Sequence, residues 1–221
     1  LMVDEAHSVG VIGKTGLGIL EHFNMPPESI DILMGTLSKG IGATGGYITG
    51  SQELINYCIL GCRSYLFTTA SCIASNAAAL EAFKVLKREP QRVEKLWKNI
   101  DYFKLKLGQS GYNIGNTSSS IIPIILADHN KVLAVTRNMA QKGVLTNGIP
   151  YPIVPRRKTR IRMTLTSEMT IEQLNKGIEA LNNAVHDYDN GVSAPPQVNE
   201  SNEATIAYQQ KISEERQALL S

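Results

Sequence analysis

The chain has 221 residues, 43% of them apolar and 19% charged, the balance of an ordinary globular protein able to bury one sizeable core or two modest ones. Its 22 basic and 20 acidic side chains leave a formal charge of +2, too weak a field to recommend nucleic acid or an acidic membrane surface as a partner. No run reaches the roughly 18 apolar residues of a membrane span and no signal segment opens the chain, so no membrane span and a cytoplasmic location are expected. Cys58, Cys62 and Cys72 form no CxxC pair and fit reduced thiols, and His7, His22, His129 and His186 are too scattered to build a metal site.

The opening LMVDEAHSVG places an apolar strand, Leu1 to Val3, before a buried-side carboxylate, Asp4. Asp4 and the DEAH text suit either the metal-holding acid of a nucleotide-driven motor or an acid that holds a cofactor's ring nitrogen. GVIGKTGLGIL follows, and its glycines 10, 13, 16 and 18 let backbone pass close to a neighbour. Its GKT is not a phosphate loop, because the glycine that pattern needs at position 8 is Ser8. IDILM, 30–34, reads as a strand buried on both faces, and GGYITG as a third strand after a glycine-rich turn. SQELINYCILGCRSY has helical spacing, and IASNAAALEAFKVLKREP is an Ala-rich helix closed by Pro90. Short buried strands alternating with helices predict a mostly parallel α/β sheet.

A long amphipathic helix from Gln91 to about Leu107 reads as a connector, with Trp97 in the core. SSSIIPIIL and TRIRMTLT then read as strands flanking helices near 130–143 and 171–188, the pattern of a smaller α+β unit. The expected division is therefore 1–90, a larger sheet domain; 91–189, a small C-terminal domain with its connecting helix; and 190–221, a flexible linker with a possible short helix.

GTLSKGIGATGG decides between the two readings of Asp4. Lys39 sits just beyond a buried strand, framed by hydroxyls and glycines, where parallel α/β sheets bind ligands; a desolvated lysine there is a nucleophile for an aldehyde. Pyridoxal 5'-phosphate chemistry needs a carboxylate to keep the pyridine nitrogen protonated and a lysine to hold the aldehyde, and Asp4 with Lys39 supplies both. A DEAH-box motor also needs a SAT-like triplet and arginine-rich GRxGR text, which are absent from this sequence.

VDEAHSVGVIGKTGLG, DILMGTLSKGIGATGGYI, RSYLFTTA and RIRMTLT together resemble the α-oxoamine synthases, fold-type I pyridoxal phosphate enzymes, over roughly residues 1–188. The likeness is to the serine palmitoyltransferase, 8-amino-7-oxononanoate synthase and 2-amino-3-ketobutyrate ligase branches, the first two above all. The resemblance implies the C-terminal part of a large, mostly parallel-sheet domain plus a smaller α+β domain, in a chain truncated at its N-terminus. The absent portion would carry a phosphate loop and the side chain stacked on the cofactor ring, so the fragment alone is expected to be impaired. It further implies a homodimer with a shared active site.

Residue by residue, the resemblance implies that Asp4 pairs with the pyridine nitrogen and His7 with the ring hydroxyl oxygen. Lys39 holds the aldehyde and acts as the proton-transfer base, so Lys39 and His7 are the catalytic candidates. Thr36 binds the phosphate; Thr69, or Thr68, reaches the partner's phosphate, although either threonine could instead cap the following helix. Arg162 clamps the substrate carboxylate, a task suited to a two-pronged donor, while Arg160 faces solvent. Met169, in TSEMT, stands where many relatives carry histidine.

The implied reaction is the decarboxylative condensation of an amino acid with an acyl thioester, carried by coenzyme A or a carrier protein, to a 2-amino ketone. Three rivals are another fold-type I enzyme such as an aminotransferase, a non-catalytic subunit of a heteromeric synthase, and a nucleotide-driven helicase. Amino-acid and thioester assays separate the first, Lys39 argues against the second, and only an upstream phosphate loop would revive the third.

Overall fold

A computed structural model describes residues 1–192; the expected linker and short helix within 190–221 therefore fall, beyond Val192, outside the described residues. In chain order the elements are β1 (Met2–Asp4), α1 (Ile19–Phe23), β2 (Ile32–Thr36), β3 (Gly46–Gly50), α2 (Gln52–Gly61), α3 (Arg63–Leu66), α4 (Ile73–Arg88), α5 (Gln91–Gln109), β4 (Ile121–Ile125), α6 (His129–Gln141), β5 (Asn147–Ile149), β6 (Arg160–Thr164) and α7 (Ile171–Asp189). Among the described residues no helix is long and apolar enough to cross a membrane.

The first sheet has the order β1-β2-β3. β1 and β2 run parallel, Asp4 opposite Met34, as the alternation of strands and helices predicts. β3 instead runs antiparallel to β2, because residues 37–45 turn the chain too tightly for a parallel crossover. Leu37 and Gly45 close this turn with a backbone bond of 2.9 Å. β2 starts and ends two residues later than the apolar run suggests, so Thr36 is its last residue, and its strand residues are half-buried rather than buried on both faces.

The second sheet, β4-β6-β5, is antiparallel throughout. Pro123 is tolerated in β4 because β4 is an edge and a missing N–H there leaves no interior ladder bond unmade. β5 escaped the sequence reading: Asn147–Ile149 is only three residues long and contains Gly148, so it shows no alternation. α6 and α7 pack on this sheet, and both start at side-chain caps. Asp128 accepts from the Asn130 and Lys131 N–H groups, and Thr170 and Gln173 form a reciprocal capping box.

α5 joins the two sheets. Its inward face, Leu96, Ile100, Phe103 and Leu107, enters a core with Ile122, Ile124, Val135, Ile161 and Leu181, most of them without any exposed surface. Near its start, Val93 joins a smaller cluster with Val9, Ile41, Ala79 and Leu86. Trp97 packs against both clusters, and its indole Nε1 donates to the Val11 carbonyl at 2.8 Å. The single tryptophan is therefore half-buried against both clusters, the apolar packing its helical position suggests, and also bonds across to the glycine loop.

Candidate active site

The C-terminal ends of β1 and β2 open on the same side, which is where parallel sheets hold ligands. β1 runs into residues 5–18, which are drawn into a compact loop by Gly10 N–H to Gly16 carbonyl and Gly18 N–H to Ile12 carbonyl bonds. β2 runs into Ser38–Lys39–Gly40. The two loops touch: a Cβ on Gly40 would lie 2.5 Å from the Val9 carbonyl oxygen. A side chain at 40 is therefore excluded, and its absence lets the Val9–Gly10 backbone pack on Gly40, next to Lys39.

Between these loops and β6 lies a cavity of about 490 Å³ whose lining includes His7, Lys39, Ser120, Arg162, Thr164 and Ser167. That volume is within the range of small-molecule sites. Thus three of the sequence candidates, from three separate chain segments, line one cavity. His7 is held below the ordinary histidine range, first by desolvation and then by the Lys39 and Arg162 charges, with Asp4 opposing. At neutral pH its ring is uncharged, fit to accept or donate one hydrogen bond.

Arg162 occupies the middle of the central strand of the second sheet, opposite Pro123 on one side and Asn147 on the other. Its Nε is buried and has no hydrogen-bond partner among the described residues. A buried guanidinium N–H without a partner is unfavourable by roughly 1–3 kcal/mol, more for a charged group, and because Arg162 lines the cavity its positive charge favours an anionic ligand there. Arg160 lies on the same strand face but uses its Nε on the Lys158 carbonyl at 2.7 Å and is half-buried rather than fully solvent-facing.

The other candidates depart from the expectation in informative ways. Asp4 is exposed, not buried, and does not line the cavity; its Oδ1 accepts the Ala6 N–H at 2.8 Å, and its charge still reaches His7. The buried carboxylate is its neighbour Glu5, 3% exposed, which accepts the Ile19 N–H at 3.2 Å. Burial pushes the Glu5 carboxyl up, against the lowering effect of that bond. Strand alternation explains the swap: successive side chains face opposite sides, and the sequence does not say which side is covered. Lys39 is likewise exposed, not desolvated as anticipated, because a loop of Ser and Gly puts no apolar wall around it.

Thr36 Oγ1 lies 2.9 Å from Ser38 Oγ and donates to the Gly45 carbonyl at 3.2 Å, which fixes the turn that carries Lys39. Thr68 and Thr69 are exposed, and Thr68 lines a different, apolar cavity of about 610 Å³ with Tyr47, Cys58 and Tyr65. Neither threonine caps α4, whose N-cap is Cys72 with no side-chain cap bond. Met169 packs against the second core. Sequence reasoning missed Ser120 and the Thr164–Ser167 wall of the His7 cavity. The SSS run and the hydroxyl-rich TLTS text were the available signals, weak because such residues are common in loops.

The profile of the aminotransferase class I and II family matches residues 1–181. The chain is 42% identical over 184 residues to 8-amino-7-oxononanoate synthase 1 of Bacillus velezensis, covering 83% of this chain and 47% of that protein. It is 37% identical over 181 residues to serine palmitoyltransferase of Sphingobacterium spiritivorum, covering 82% and 45%. A solved structure described as SPT with PLP internal aldimine superposes with a TM-score of 0.79 at 26% identity, covering 86% of this chain and 48% of that one. The chain thus spans about half the length of the curated relatives it matches. With the family profile matching residues 1–181 and more than two-fifths identity over four-fifths of its length to a curated relative, this chain belongs to the aminotransferase class I and II family.

Proposed function

We propose that the whole protein is a pyridoxal 5'-phosphate-dependent C-acyltransferase that condenses an amino acid with an acyl thioester, with loss of carbon dioxide, to give a 2-amino ketone. The observation that carries the reading is the convergence of His7, Lys39 and Arg162 on one cavity at the ends of parallel strands. The relatives named 8-amino-7-oxononanoate synthase and serine palmitoyltransferase support the reaction class.

The residues fit the cofactor's chemistry. An amine, an uncharged imidazole and a free guanidinium N–H suit an aldehyde, a ring hydroxyl and a carboxylate in turn. When bound, the cofactor supplies a protonated ring that takes up the electrons released at the substrate's α-carbon. Asp4, at the end of β1 and outside the cavity lining, would act on that ring's nitrogen by charge, as it acts on His7. Lys39 Nζ would hold the aldehyde and would take the proton from the substrate's α-carbon. Its exposure leaves the amine reachable by the aldehyde. Arg162 orients the amino acid by its carboxylate, and the neutral His7 ring bonds the ring hydroxyl without adding a positive charge beside Lys39.

Thr36 contributes a hydroxyl to the phosphate, and Thr69 or Thr68 belongs to the phosphate site of a second copy. Their exposure, with Thr68 on a cavity away from Lys39, supports a role outside their own protomer. The same proposal takes 1–90 as the cofactor domain and 91–189 as a small domain closing over it, in a cytoplasmic homodimer. Assaying the whole protein against glycine, alanine and serine with coenzyme A and carrier-protein thioesters tests the reading. Thioester-dependent release of carbon dioxide is expected, and transamination without it would overturn the reaction class.

A further inference from the structure

We propose that α5 is the positioning element of this site: Trp97 and Asn99 grip its two walls from one rigid helix and so set the distance between the Lys39 side and the Arg162 side. The proposal rests on the reading of the cavity above and gives roles to two residues that carry none of its chemistry.

A helix turns roughly 100° per residue, so on α5 Trp97 and Asn99 project to either side of Leu96. Leu96 itself lines the cavity. On one side Trp97 Nε1 donates to the Val11 carbonyl at 2.8 Å, and Val11 lines the cavity in the loop that also carries His7 and packs on Gly40. On the other side the Asn99 carboxamide, 5% exposed, donates to the Thr166 and Met169 carbonyls, each at 3.0 Å. Thr166 lies four residues past Arg162 and lines the same cavity.

One amide thus satisfies two carbonyls of a loop that has no regular secondary structure, and both of its N–H groups are used. Arg92 extends the same grip through its ion pair to Glu168 at 3.0 Å. An apolar side chain would be the ordinary occupant of so buried a position, so burial alone does not explain an amide there. Holding two backbone oxygens does.

The test uses the whole protein and two substitutions that remove the donors. Trp97→Phe keeps an aromatic ring and removes the N–H; Asn99→Leu removes both donors. With Trp97→Phe, cofactor affinity, read from its absorbance on reconstitution, falls about tenfold while the amino-acid KM stays within about twofold. With Asn99→Leu the pattern reverses: amino-acid KM rises about tenfold while cofactor affinity and kcat stay within about twofold.

In the cofactor-free protein, nuclear magnetic resonance of the His7 ring moves with Trp97→Phe, and that of the Arg162 Nε–H moves with Asn99→Leu. Thermal unfolding separates a loss of stability from a shift in spacing. The proposal is overturned if those resonances stay in place, or if both variants change cofactor affinity and KM equally and in step with a fall in Tm. A wild-type protein that takes up no pyridoxal phosphate, with the resonances moving as described, would overturn the functional reading and leave the positioning role supported.

Discussion

The two sheets bury their surfaces very differently. Around β4-β6-β5, Ile100, Phe103, Ile122, Val135 and Leu181 are enclosed by helices of the same chain. Around β1-β2-β3, by contrast, Met2, Ile48, Leu60, Phe67, Ile73 and Leu80 stand largely exposed. Yet the exposed region carries Asp4, His7, Thr36 and Lys39, whereas the enclosed one contributes Arg162. The difference teaches that stability and chemistry are unevenly shared here. The second sheet supplies a rigid wall, and the first supplies reactive groups on loops that depend on close backbone contacts, such as Gly40 against Val9, rather than on a deep core.

The comparison breaks most visibly at Lys39. Lys39→Ala in the whole protein is expected to lower turnover on the order of 10³-fold or more and to abolish borohydride-fixed attachment of the cofactor. Attachment that survives the substitution would remove the lysine from its role. Next, Phe103→Ala is expected to lower unfolding free energy by about 3–5 kcal/mol in denaturant titration, since the ring is 1% exposed and neighbouring side chains cannot all collapse into its place. Arg162→Ala should raise the amino-acid KM by roughly 100-fold with a smaller effect on kcat, as expected for a lost charge-assisted pair.

Smaller effects sharpen the contrast. Leu80→Ala in the 221-residue chain should change stability by less than about 0.5 kcal/mol, because Leu80 is 59% exposed. A loss near 2 kcal/mol would mean that another surface covers it and that the first sheet is better buried than it stands here.

Smallest is the titration of His7 in the cofactor-free protein, followed by nuclear magnetic resonance. Its midpoint should lie below the ~6.5 of an unperturbed histidine. Lys39→Ala should raise it by removing a positive neighbour, and Asp4→Asn should lower it by removing a negative one. Because the folded state disfavours the imidazolium, His7's contribution to stability is complete above that ordinary value and is lost as the pH falls through the depressed one. A midpoint indifferent to Lys39 would show that the two groups do not face each other.

Read along the chain, much of this protein was legible. The helices at 73–88, 91–109, 129–141 and 171–189 and the strands around 121–125 and 160–164 follow from periodicity, capping residues and local text, and Lys39 stands out by its setting, whereas Arg162 was singled out only through the family resemblance. Less was legible wherever the answer depended on what covers a surface. Alternation along β1 separates Asp4 from Glu5 but does not say which is buried, and a hydroxyl-rich loop does not reveal that Lys39 is exposed.

The sequence by itself determined the longer helices and most of the strands, which are written in spacing over a few neighbouring residues, and its motifs carried the resemblance to the family. Only the tertiary structure decided that β3 turns back antiparallel and that Thr68 looks into a different cavity from Lys39. It alone decided, too, that Arg162 arrives beside His7 with its Nε unpaired and that Trp97 and Asn99 hold the two walls from one helix. The physical reason is one of range. Turns, caps and amphipathic faces are set by residues within a helical turn or two of one another, whereas burial, charge and orientation in a cavity are set by side chains 30 to 150 positions away, whose approach no local pattern encodes.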